Sequence, residues 1–331
     1  MGTESLKKAV QELGKKRHSD VRYHQLDITN RDSCQNLATF LKIEHDGLDV
    51  LINNAGFAFK HDAKEPPEEQ ARVTIGVNYE GTKQVCDVLF PLIRNGGRVV
   101  NVCSSEGILS GRYSDDIIAR LTSPSLTVAD VDKFVEDYKK VVNVCSSEGI
   151  LSGRYSDDII ARLTSPSLTV ADVDKFVEDY KKACIGDKRK ENGFPQSAYK
   201  VSKAAEIALT LIQAKELMAR NILVNAHATY RACIGDKRKE NGFPQSAYKV
   251  SKAAEIALTL IQAKELMARN ILVNACHPGY VNTDMTSHQG PLSIEEGADT
   301  PIYLAIMEGN EPTGKLYYKR RIIDWNAPFH G

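Results

Sequence analysis

The sequence predicts an α/β protein built on a doubly wound parallel sheet. Two observations carry that expectation. Short apolar runs that stop on Asn, Ser or Gly recur along the chain, as in "LDVLINNAG", "GGRVVNVCSS" and "ILVNA". Between them lie segments with helical spacing, long enough to cross back over a sheet. Strands buried on both faces read as continuous apolar runs, which sets this pattern apart from a half-solvated antiparallel sheet.

Taken in order, residues 21–27 ("VRYHQLD") alternate and end in a polar turn, so they read as a strand. Arg31–His45 reads as a helix, with Leu37, Phe40, Leu41 and Glu44 spaced for a half-buried face. Leu48–Asn53 is a buried strand stopped by "NAG", and residues 68–93 are mostly helix behind the Pro66-Pro67 stop. A Gly96-Gly97 turn leads into the strand 99–103. "TVADVDKFVEDYKK" is a helix with Thr127 as its N-cap. Residues 197–220 form a long helix followed by "ILVNA", and residues 315–318 supply a last strand.

Composition narrows the function classes. The formal charge is zero and the pI about 7.1, with 42% apolar and 26% charged residues, so neither a nucleic-acid nor a membrane surface is advertised. The seven cysteines (Cys34, Cys86, Cys103, Cys145, Cys184, Cys233, Cys276) do not fall at metal-ligand spacing, and no secretory signal is present. Reduced thiols in a cytoplasmic protein are expected. The longest apolar stretches are too short to span a bilayer.

Two segments are repeated letter for letter. Residues 99–140 recur as 141–182, and residues 183–226 recur as 232–275 after the joint "HATYR". Each unit occurs only twice and the two units differ, unlike the graded copies of a solenoid. We read a single domain over 1–331 that carries two tandem duplications.

Tyr-x-x-x-Lys sets a phenol and an ammonium on one helix face. The nearby ammonium favours the phenolate, so the phenol can hand its proton to a developing alkoxide. The spacing occurs at Tyr199/Lys203 and Tyr248/Lys252, and also at Tyr79/Lys83, a decoy. Alone it is a weak signal. Here it stands behind "NNAG" and "VVNVCSS" and ahead of "ILVNA" and "CHPGYVNTDM". In that order the motifs resemble the short-chain dehydrogenase/reductase family, and most of all its carbonyl reductases.

That resemblance implies a Rossmann-like domain that reduces aldehydes, ketones or quinones with NADPH. It implies Asn78 as the helix asparagine that holds a relay water and Ser104 as the carbonyl-binding serine. Tyr248 would be the general acid, and Lys252 would lower its pKa and grip the nicotinamide ribose. Ser146, Tyr199 and Lys203 form a rival set. Ser104 follows the Gly96-Gly97 turn and Tyr248/Lys252 lead into the Pro-Gly loop, whereas Ser146 and Tyr199 keep the family-like separation of 53 residues. For the cofactor the resemblance implies Asp27 at the adenine, Asn53, Ala55 and Gly56 along the crevice, and Pro278, Gly279, Val281 and Thr283 at the nicotinamide and pyrophosphate. Asn53 has a second reading as a strand-end cap, and Asp27 as a turn cap beside Thr29 and Asn30.

The chain departs from the family at its start. It has no Gly-rich phosphate loop, and the first two strands of the family sheet are lacking. Residues 21–27 would then have no neighbour and Leu48–Asn53 would lie at an edge, with the surplus strands 141–145 and 222–226 free to cover it. NADPH binding is expected to be weakened. The segment 99–140 resembles the helical insertion that keeps carbonyl reductases monomeric, so a monomer is expected, with a small carbonyl compound as partner. The alternative is a non-enzymatic truncated and duplicated remnant, or a gene-model product. A Rossmann-like methyltransferase is disfavoured because it gives Tyr-x-x-x-Lys no role.

Overall fold

A computed structural model describes residues 20–60, 62–144, 151, 154–165, 167–198, scattered positions between 200 and 212, 238–239, 241–308 and 311–329. The elements are α1 (Arg31–His45), β1 (Leu48–Asn53), α2 (Pro67–Ile75), a π-helical turn (Gly76–Gly81) and α3 (Thr82–Leu89). Then come β2 (Ile93–Val102), α4 (Asp115–Leu121), α5 (Val128–Val144), α6 (Asp157–Leu163) and α7 (Val170–Cys184). The chain ends with α8 (Ala247–Glu265), β3 (Leu272–His277), α9 (Ile294–Ala305), β4 (Leu316–Tyr318) and β5 (Arg321–Ile323). They fall into two units, one of Met1–Ala58, Thr74–Ile108 and Ser251–Gly331, the other of Phe59–Val73 and Leu109–Val250.

The first unit holds the sheet, in the order β1-β2-β3-β4-β5. The first four strands are parallel and β5 is antiparallel to β4. Register follows the apolar runs: Leu51 pairs with Val99, and Val99 with Val273. Successive residues face opposite sides. Val99 and Val273 pack with Ala263 of α8, whereas Val100, Leu272 and Cys276 pack with Leu304 of α9. Leu51 also meets Val85 and Leu89 of α3, with Cys34 of α1 behind them. Each fully buried valine contributes roughly 1.5–3 kcal/mol. The exposed pair Arg94–Asp49 is worth about 0–1 kcal/mol. Burial on both faces therefore holds the sheet.

Five expectations need correction or fall outside this description. Residues 21–27 are irregular rather than a strand, with Val21, Tyr23 and Leu26 exposed. Alternation supplies a face, but a strand also needs a ladder, and among the described residues β1 pairs only with β2. Residues 141–144, expected to open a surplus strand, are the last turn of α5, with Val141 and Val142 buried. The Gly96-Gly97 turn is instead a bulge inside β2, where the pairing with β1 shifts register between Leu48 and Val50. The expected strand 222–226, residue 145 and much of the helix 197–220 lie outside the described residues. Among the described residues no helix is long and apolar enough to cross a membrane.

In the second unit the duplicated segments pair in a nested way. The Phe134 and Tyr138 rings of α5 lie 5.6 and 5.5 Å from Phe243, and the Ser114 N–H donates to the Gly242 carbonyl at 3.0 Å. In α7, Phe176 and Tyr180 lie 5.6 and 5.5 Å from Phe194, and Ser156 N–H donates to Gly193 at 3.0 Å. The first copy of residues 99–140 thus closes on the second copy of 183–226, and the second closes on the first. Even the caps repeat: Thr127 accepts from the Asp130 N–H at 3.3 Å, as Thr169 does from Asp172. The inner pair has its own core, including Tyr155, Ile159, Leu163, Phe176 and Phe194.

Two separate cores predict additivity. Phe194→Ala and Phe243→Ala should each cost about 3–5 kcal/mol. The double variant should lose their sum to within about 0.5 kcal/mol. Urea denaturation of the four proteins checks this; a double variant no weaker than one single would reveal a shared core.

Candidate active site

The in-register parallel strands bring Asn53, Asn101 and the residues after Val102 and Cys276 to one end of the sheet. Open α/β sheets bind ligands at such carboxyl ends. Asn53 Nδ2 donates to Asn101 Oδ1 at 2.8 Å, so its amide ties β1 to β2 as a strand-end cap would. Asn101 Nδ2 donates in turn to Thr259 Oγ1 at 2.9 Å and Gln262 Oε1 at 3.2 Å on α8. Asn101, Thr259 and Gln262 are all buried, and the network satisfies them.

Helix α8 carries the polar residues nearest that end. Tyr248 lies in its first turn and Lys252 one turn later. Lys252 is only 4% exposed. Its ammonium donates to the Val102 carbonyl at 3.2 Å and lies 2.6 Å from Glu255 Oε2. Burial pushes the Glu255 carboxyl up to about 7, against the pull of Lys252. Ser104 Oγ accepts the Glu106 N–H at 3.2 Å and so caps the short turn Ser105–Gly107. That turn presses on α8 at Gly107, where a Cβ would come within 2.6 Å of the Lys252 carbonyl carbon. Any side chain there would lift the serine's turn off the lysine's helix.

Asn78 sits in the π-helical turn Gly76–Gly81, an irregularity often found at functional positions. It is fully buried. Its Oδ1 accepts the Phe57 N–H at 2.7 Å, and its Nδ2 donates to the Phe57 carbonyl at 2.9 Å and to Ser251 Oγ at 3.0 Å. The loop after β1 is thereby held against α8. A Cβ on Gly56 would stand 3.4 Å from Asn78 Oδ1 and 3.8 Å from both Lys252 Nζ and Met285 Cε. Gly56, Asn78, Lys252 and Met285 of the loop after β3 therefore lie together at this end of the sheet, with Ala55 exposed beside them.

In the loop after β3, Gly279 has φ +92° and its N–H donates to His277 Nδ1 at 3.3 Å, beside Pro278. Val281 is buried and its carbonyl accepts from Thr286 Oγ1 at 2.6 Å; Thr283 caps the turn Asp284–Thr286. His277 stacks on Tyr318 at 5.0 Å, and burial pushes its pKa down to about 4. Asp27 is exposed and accepts from the N–H and hydroxyl of Thr29, which hold its carboxyl below the usual range. Its observed contacts are those of a turn cap. Ser146, Tyr199 and Lys203 lie outside the described residues. Sequence reasoning passed over Glu255, whose signal was a carboxylate three residues beyond Lys252 on one helix.

Glu255 and His277 predict opposite pH slopes of stability. Glu255 is raised in the fold, so its contribution is lost as pH rises from about 4.5 to about 7. His277 is lowered, so stability falls as pH drops from about 6.5 to about 4. Relative to the parent, Glu255→Gln should make stability rise more steeply with pH across this window, and His277→Phe should make it fall. Melting curves from pH 4 to 7 check both signs.

A family model described as short chain dehydrogenase matches residues 1–114 and 237–291, passing over the stretch that contains α4 to α7. Carbonyl reductase [NADPH] 3 of Rattus norvegicus is 32% identical over 315 residues, which is 92% of this chain and 79% of that protein. Carbonyl reductase [NADPH] 1 of Homo sapiens is 34% identical with the same shares. Among solved structures, salutaridine reductase from Papaver somniferum aligns with a TM-score of 0.57 and 23% identity, over 94% of this chain and 86% of that one, a likeness of fold. With half of its length matched by the family model and relatives above 30% identity along nearly all of it, the chain belongs to the short chain dehydrogenase family.

Proposed function

We propose that this protein reduces carbonyl compounds (aldehydes, ketones or quinones) to alcohols with NADPH. One observation carries the reading: a buried lysine ammonium at the carboxyl end of β2, one helical turn beyond Tyr248. Burying an ammonium is costly, so a lysine placed there by fold alone would be a poor choice. The relatives named carbonyl reductase [NADPH] support the same chemistry.

The nicotinamide end of the cofactor would lie against Gly56, which has no side chain to separate it from Asn78, Lys252 and Met285. NADPH, when bound, supplies the hydride. Lys252 holds the ribose and keeps the Tyr248 phenol acidic; Tyr248 gives its proton to the carbonyl oxygen as charge develops there. Ser104 Oγ accepts from Glu106, which leaves its own hydroxyl proton to donate to that oxygen. Both Nδ2 protons of Asn78 are committed, so a relay water would donate to the remaining lone pair of Oδ1. Asn53, Ala55, Gly56, Pro278, Gly279, Val281 and Thr283 would line the cofactor, with Asp27 toward the adenine. The proposed working form is a cytoplasmic monomer, which a discrete tetramer in light scattering would contradict.

The test begins with NADPH titrated to millimolar concentration, which should raise the melting temperature. Tyr248→Phe should lower quinone reduction by about 10²–10⁴-fold while sparing cofactor binding. Lys252→Ala should lose both. Tyr79→Phe, at the decoy spacing, should stay within a few-fold of the parent. Turnover by Tyr248→Phe close to the parent rate would remove the proposed acid.

A further inference from the structure

Lys252 has a partner that the reductase reading does not use. Glu255 follows it by three residues on α8, and both are buried, with side chains 5% and 2% exposed. The 2.6 Å contact runs from Nζ to Oε2, and among the described residues Oε2 has no aligned hydrogen-bond donor. The two groups form a buried ion pair. A buried carboxylate is expensive, and removing one partner of such a pair strands the other. Its sequence neighbours on α8, Ala253, Ala254 and Ile256, are apolar and fully buried.

Resting on the reductase reading, we propose that Glu255 is a positioning residue of this site. Its buried carboxylate holds the Lys252 ammonium at the end of β2 and offsets the charge that this ammonium presents along α8 to Tyr248.

Among the described residues, few other groups compete for that carboxylate. Glu255 bears on the Cys86 thiol of α3 and the Cys103 thiol just after β2, and Lys252 bears on Cys276 of β3. Burial pushes Cys86 and Cys276 up to about 12 and Cys103 well above its ordinary value. All three thiols are neutral near pH 7, so Lys252 is the charged group among them that answers Glu255. Ionised Glu255 resists proton loss from its neighbours. Replacing it with an isosteric amide lets both the ammonium and the phenol lose their protons at lower pH. Reduction needs the phenol protonated and the ammonium charged, so both changes move the alkaline limit of the reaction the same way.

The experiment has two arms on the full chain. Glutamate carrying 13C at the δ-carboxyl is followed by NMR across pH 4–10. One resonance should titrate near neutrality, vanish in Glu255→Gln, and move up by about one pH unit or more in Lys252→Met. In the second arm, quinone reduction with NADPH is measured against pH. Glu255→Gln should shift the alkaline limb down by about one unit, and Glu255→Asp, which keeps the charge, should restore at least half of that shift. A Glu255 resonance indifferent to Lys252→Met overturns the proposal. So does a Glu255→Gln profile that superimposes on the parent's in a protein that still melts cooperatively. A parent with the expected NMR titration but no turnover would sink the reductase reading instead, and leave the pairing established.

Discussion

A single buried ammonium organises this end of the molecule. Taking a lysine charge out of water costs several kcal/mol, and the surroundings of Lys252 are arranged to offset that cost. The Val102 carbonyl accepts from Nζ, and Glu255 supplies the opposite charge. The turn after Ser104 can reach α8 only because Gly107 has no side chain to strike the Lys252 carbonyl. Asn78 ties the loop after β1 to Ser251, the residue just before the lysine. Three segments far apart in sequence thus converge on one helical turn, and each would shift if that turn moved.

Sheet and site depend on each other through the same helix. The far half of α8 packs Ala263 against Val99 and Val273, which sets its height over the sheet. Thr259 and Gln262, nearer the site, take the amide of Asn101. Apolar burial supplies most of the stabilisation, and the amide network sets the register of the helix against the strand ends. The aromatic stack of His277 on Tyr318 performs a similar task for the loop after β3, where the ring nitrogen also takes the Gly279 N–H.

The duplicated segments offer a natural control on what local sequence can do. "VVNV" is strand β2 at residues 99–102 and the end of helix α5 at residues 141–144. Valine favours strands, yet the second copy continues a helix already running through "FVEDYKK", and its first two valines are buried there. The first copy leaves the Gly96-Gly97 bulge between two strands that can hydrogen-bond it. Identical segments also choose partners by nesting, so Phe243 serves α5 and Phe194 serves α7. The family match likewise passes from residue 114 to residue 237.

Much of this was written in the sequence by itself. Apolar runs ending in Asn and Ser defined β1, β2 and β3 and their parallel pairing, because burial on both faces leaves a continuous apolar signature. The bounds of α1 and the Thr127 cap followed from periodicity and side-chain chemistry. Tyr-x-x-x-Lys placed Tyr248 and Lys252 on one helix by arithmetic alone. Three-dimensional packing decided the rest. The pattern at residues 21–27 announced a strand, but a strand exists only where a neighbour completes its hydrogen bonds. Glu255 looked like any helical carboxylate, since three-residue spacing to a lysine is common on solvated faces. Only the closing of α8 over the sheet turned it into a buried countercharge, because burial is a property of the assembled layers and of no single segment.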